Sequence, residues 1–181
     1  MEHVIGAGMG VQAGLRAQSG LVLEPRMKSL YRFELIRAGQ VEWVEEVENL
    51  VVNAGLNDLI DKYFKGSTYT AAWYVGLKAA GTIAAADTLA SHAGWTEVSA
   101  YSGSRKALTL GSVASQSVDN TASAASFAIN GTATVAGGFI CTAASGTSGV
   151  LYGAADFGSA RSVISGDTLN VSCTLTAAAG A

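Results

Sequence analysis

The residues of this 181-residue chain that could do chemistry are few and far apart. Gly6, Gly8 and Gly10 open it in HVIGAGMGV. A dinucleotide loop needs G-x-G-x-x-G between a strand and a helix, so that backbone N–H groups meet a pyrophosphate at the helix N-terminus. Here the third glycine comes one place early, Val11 stands in its position, and no strand–helix–strand pattern follows. The segment reads as a glycine-rich arm. The two histidines, His3 and His92, have no second His, Cys or carboxylate pair at metal-ligand spacing. His92, in ASHAGWTEV, reads as a loop residue set against Trp95. Serines abound, but none lies in a G-x-S-x-G elbow with acid and base partners.

EWVEEVEN brings four acids together, and two carboxylates can form a hydrolytic pair. In a strand, however, alternation puts Glu42, Glu46 and Glu48 on the solvated face. Cys141 falls with Val135 and Phe139, and Cys173 with Val171 and Leu175. Both read as buried free thiols acting as small hydrophobes, with a bridge between them left open. No enzyme, cofactor or metal site is expected from these residues.

Charge narrows the classes further. The net charge is −3, and after Lys106 only Asp119, Asp156, Arg161 and Asp167 are charged. Nothing favours nucleic acid or an anionic membrane, and no apolar run reaches the roughly 18 residues that span a bilayer. A charge-poor surface rich in Ser and Thr suits packing against a neighbour, since little charge must be desolvated. The opening residues lack the basic region of a signal peptide, and synthesis in a bacterial cytoplasm is expected.

Three segments follow from the patterning. Residues 1–26 carry no aromatic residue and no period, and end after the single proline, Pro25. They read as an extended arm whose Val4, Ile5, Leu15, Leu21, Val22 and Leu23 would dock on a neighbour. Met27 reads equally as a protein start or as an internal methionine. Residues 27–66 read as a hairpin plus a helix. Tyr31, Phe33 and Leu35 share one face of the first strand, AGQ at 38–40 turns, and Val41, Trp43 and Val47 continue beyond it. Leu56, Leu59, Ile60, Tyr63 and Phe64 then recur with helical period. Asn53 or Asn57 is expected to cap this helix and Gly66 to stop it. The stripe is expected to be core, buried on a sheet face.

Residues 67–181 hold short alternating runs divided by Gly, Ser, Asn and Asp, read as the body of an antiparallel β-sandwich, Ig-like or jelly-roll-like. Trp73, Val75 and Leu77 alternate in AAWYVGL. Leu169, Val171 and Leu175 alternate in TLNVSCTLTA, and all six are expected in the core. Residues 27–181 would then form one compact domain.

From Met27 onward the chain resembles a widespread group of small bacteriophage virion proteins, tail-fibre or minor structural proteins. ENLVVNAGLNDLIDKYF, AWYVGL, HAGWTEV, LYGAADF and SGDTLNV carry the resemblance. It implies a non-enzymatic virion structural protein, attached to the tail as part of a fibre or its base. Its partners would be other virion proteins and copies of itself. A capsid decoration or cement protein is the alternative. A third is a host-glycan-binding module, with Trp73, Tyr74, Trp95 and Tyr101 as candidates.

Overall fold

Ala38 and Gly39 both take positive φ, 49° and 79°, and close a two-residue hairpin. That geometry matches the twist of the strands it joins. The computed structural model describes residues 26–69 and 72–178. The hairpin strands are β1 (Arg26–Arg37) and β2 (Gln40–Glu48), followed by β3 (Leu50–Val51) and the helix α1 (Asn53–Phe64). Then come β4 (Tyr74–Lys78), β5 (Glu97–Val98), β6 (Lys106–Ala107), β7 (Ser117–Asp119) and β8 (Ala125–Ala128). The three longer strands β9 (Ala133–Cys141), β10 (Leu151–Val163) and β11 (Thr168–Ala178) complete the fold.

Two antiparallel sheets form a β-sandwich. The first runs β2-β1-β11-β7, with β8 also on β11. Here β1 pairs with β11 from Arg26↔Ala178 to Ile36↔Thr168, so the hairpin is built into the sheet. The second sheet runs β3-β10-β9-β4-β5, with β6 also on β4. The runs at 149–157 and 160–165, which read as separate, belong largely to the single strand β10, whose pairing with β9 shifts between Asp156 and Arg161.

The sheets share one core. Tyr31, Phe33, Leu35, Leu169 and Val171 from the first meet Val75, Leu77 and Ile140 from the second, all buried. Phe33 meets Phe157 edge-on at 4.6 Å between ring centroids. Gly138 leaves room for Phe33, since a Cβ there would lie 2.9 Å from the Phe33 Cζ. Trp73 and Leu175 were expected inside and are only half-buried, packed at the margin of this core.

A second apolar cluster lies on the far face of the β4–β9–β10 sheet. Phe139, Cys141, Leu151 and Ala154 are covered there by Val52, Leu89 and Trp95. With both faces covered, β9 reads as an apolar run from Val135 to Cys141. The covering loop is ordered by Asp87, which accepts hydrogen bonds from the Ala84 N–H at 3.0 Å and the Trp95 indole at 2.9 Å.

The helix corrects the sequence reading. Leu56, Leu59, Ile60, Tyr63 and Phe64 are exposed, from 38% for Leu56 to 78% for Tyr63. The helix meets the sheet instead through its small residues. Ala54 packs on the outer cluster, and Gly55 rests on β10, where a Cβ would lie 2.8 Å from the Tyr152 Cα. Backbone can approach backbone this closely only on the side without bulk, so the large stripe turns outward. Neither asparagine caps the helix: Val52 occupies the N-cap with no side-chain bond, and the Asn53 N–H donates to the Ala85 carbonyl at 2.9 Å. Gly66, at φ 68°, follows the last turn as expected.

Candidate functional site

Five large apolar side chains stand exposed along α1. Single exposed apolar side chains are ordinary, but a contiguous patch marks a contact surface. Tyr63 and Phe64 stand edge to face, 5.0 Å apart, at the end of the stripe. On the polar side, Lys65 pairs with Asp61 at 2.9 Å one turn away. Hydrogen bonds from Ser67 and Lys65 hold the Asp61 carboxyl below its ordinary range.

Beside the stripe, between α1 and the sandwich, lies a cleft of about 280 Å³ lined by Gly55, Asp58, Leu59, Tyr69, Trp73 and Tyr152. A second of about 210 Å³ shares Leu59, Tyr69, Trp73 and Tyr152, and adds Met27, Leu110 and Leu175. The shared residues make the two one continuous groove. Trp73 forms its floor, donating its indole N–H to the Tyr69 hydroxyl at 2.8 Å and meeting Tyr152 edge-on at 5.7 Å. Burial pushes the Tyr152 hydroxyl pKa up, so it stays neutral. The groove is apolar with one acid and one base, Asp58 and Lys62, at its edge. Its described lining holds no histidine, cysteine or serine. Met27 places the start of β1 in its wall.

The other candidates separate. Gly6, Gly8, Gly10, His3 and the arm residues Val4, Ile5, Leu15, Leu21, Val22 and Leu23 lie outside the described residues. The acids of β2 meet bases one by one: Glu46 with Arg32 at 3.6 Å, Glu42 with Arg37 at 3.5 Å, Glu48 with Lys28 at 3.9 Å and Glu45 with Arg161 at 2.9 Å. His92 stacks on Trp95 at 4.0 Å, with Nδ1 3.1 Å from the Trp95 carbonyl oxygen. Cys141 and Cys173 are free and buried, one in each sheet. Trp95 and Tyr101 are buried, which removes them as glycan platforms, while Trp73 and Tyr74 are half-buried. Among the described residues no group of three or more His, Cys, Asp or Glu could hold a metal ion. No helix is long and apolar enough to cross a membrane.

Three features escaped the sequence reading. Tyr69 carries no periodic signal and becomes a groove residue only through Trp73. Gly55 stands just before the apolar stripe and carries no hydropathy signal of its own. Lys78 follows the interior residue Leu77 and points to the other face of β4, where it is fully buried.

Compared with protein families, residues 51–177 match the model described as Podophage GP4 fiber I protein gp80. The match spans α1, β4 to β10 and nearly all of β11. No curated protein matches the chain.

Proposed function

The chain belongs to the podophage GP4 fiber I protein gp80 family, a family of phage fibre proteins, and we propose that it is a non-enzymatic part of a tail fibre or of its base. Several copies would meet through the face around α1. The observation that carries this reading is the outward stripe of Leu56, Leu59, Ile60, Tyr63 and Phe64 beside the Trp73 groove. Fully burying one such side chain is worth about 1.5–3 kcal/mol. A repeated particle supplies the cover, because each copy meets the same neighbour at every position.

The occupant of the face is a second copy of this chain, and its arm lies in the groove. Met27 lines the groove where β1 begins. Leu21, Val22 and Leu23 precede it by four to six residues, a reach of roughly 13–20 Å at about 3.3 Å per residue. The low charge of the chain beyond Lys106 supports close packing.

Light scattering on the full chain, on a chain starting at Met27 and on a Tyr63→Ser/Phe64→Ser variant tests this. The full chain should form an oligomer. The other two should be monomers with an unchanged melting temperature. A full chain that stays monomeric at high concentration, or a truncated chain that unfolds, contradicts the proposal. A capsid decoration protein would instead show shell-like stoichiometry in the virion. A glycan-binding module would give a glycan-array signal lost in Trp73→Ala.

A further inference from the structure

Lys78 is the one fully buried lysine among the described residues, with 0% of its surface exposed. It sits on the outer face of the second sheet, in register with Gly137 on β9, which is in turn in register with Asp156 on β10. The lysine therefore crosses a whole strand to reach the acid. Gly137 lets β9 and β10 approach closely at this point, since a Cβ there would lie 2.9 Å from the Ala155 carbonyl carbon.

At the end of that path the Lys78 ammonium hydrogen-bonds the Asp156 carboxylate. The Gly81 carbonyl, 3.1 Å away, accepts a second bond and fixes Nζ. The Trp95 ring lies over it with its centroid at 5.7 Å. Two other acids belong to this region and both are engaged. Asp87 accepts from the Trp95 indole, and Glu97, the register partner of Lys78 on β5, accepts from Arg105 Nε and Nη2 at 2.9 and 2.7 Å. Asp156 is the acid left for Lys78.

The buried Lys78 ammonium forfeits its hydration, and attraction to a single carboxylate often fails to offset such a loss. We propose that Lys78 and Asp156 condense to an isopeptide bond between Nζ and Cγ. The pair holds every atom required. A proton passes from the ammonium to the carboxylate, giving amine and acid. The nitrogen lone pair then attacks Cγ, the C–O bond breaks, and one water leaves with the second amine proton. Two charges become a neutral amide and no oxidant or co-reactant is used. Effective concentrations of amine and acid held together reach about 10⁵ M where the reacting atoms are aligned. The Asp156 side chain is 39% exposed, which leaves the departing water a way out. The product would tie β4 to β10 across β9, a cross-link suited to a fibre domain that bears load.

Intact-mass measurement of the denatured full chain tests this. The expected mass is about 18 Da below that of the sequence, the loss of one water. Digestion should recover Lys78 and Asp156 in one joined peptide, and Lys78→Arg and Asp156→Ala should each return to full mass. A parent chain at full sequence mass, with Lys78 recovered as a free amine, overturns the proposal. So does a water loss mapped to any other pair. The parent mass alone decides if the variants fail to fold.

Discussion

Gly55 of the helix rests on the backbone of Tyr152, with a Cβ position 2.8 Å from the Tyr152 Cα. This contact fixes which side of α1 faces the protein. It follows that Gly55→Ala pushes the helix off the sheet, although alanine is the better helix former. The expected loss is about 1–3 kcal/mol, as for overpacking elsewhere, read as a lower melting temperature. A Gly55→Ala variant more stable than the parent would show that the helix can rotate at no penalty.

Phe64, nine residues on and so on the opposite side of α1 from Gly55, leads to the reverse expectation. Phe64→Asp should express in soluble form and keep the stability of the isolated domain within about 0.5 kcal/mol, because an exposed charge needs no buried partner. What it should lose is self-association. Unfolding of this variant would mean that Phe64 is buried within its own chain.

These two positions show what was legible in the sequence and what was not. Two-residue alternation located the interior of β1 and β11, where Tyr31, Phe33, Leu169 and Val171 are buried. Helical period located α1 but not its orientation. Large apolar residues at period 3.6 imply a buried stripe only when something in the same chain covers it. Here the contact is made by Ala54 and Gly55, which carry almost no hydropathy signal. The groove was legible only through Trp73, because its other walls come from segments far apart in sequence. The buried lysine was hidden for a related reason: the loop that covers Lys78 contributes Trp95 from outside the sheet.

Asp167 offers a test by pH. It accepts hydrogen bonds from Arg37 Nε and Nη2, each at 2.8 Å, which ties the hairpin end to the turn before β11. Those bonds hold its carboxyl below the ordinary range, against the opposing effect of burial. A depressed folded pKa adds stability above the unfolded value of about 3.9, and that stability goes as pH falls through the folded value. Asp167→Asn should therefore lose about 1.5–3 kcal/mol at neutral pH. The gap to the parent should narrow below about pH 4. A gap constant from neutral to acid pH would assign the loss to packing.

The thiols should be nearly inert. Burial raises the pKa of both Cys141 and Cys173, Cys173 the more strongly, so thiolate is scarce at neutral pH. A thiol reagent should label neither at an appreciable rate in the folded chain and both in denaturant. Rapid labelling of Cys173 in the folded state would show that the sandwich opens.

The central claim is that this fibre-family chain assembles through the face around α1. The most direct measurement is a reconstruction of the virion that carries it. The account predicts density for the chain in a tail fibre or its base, with Tyr63 and Phe64 buried against the next copy and that copy's residues 1–26 in the Trp73 groove. Density on the head shell, or copies in a fibre whose α1 stripe faces solvent, would contradict it.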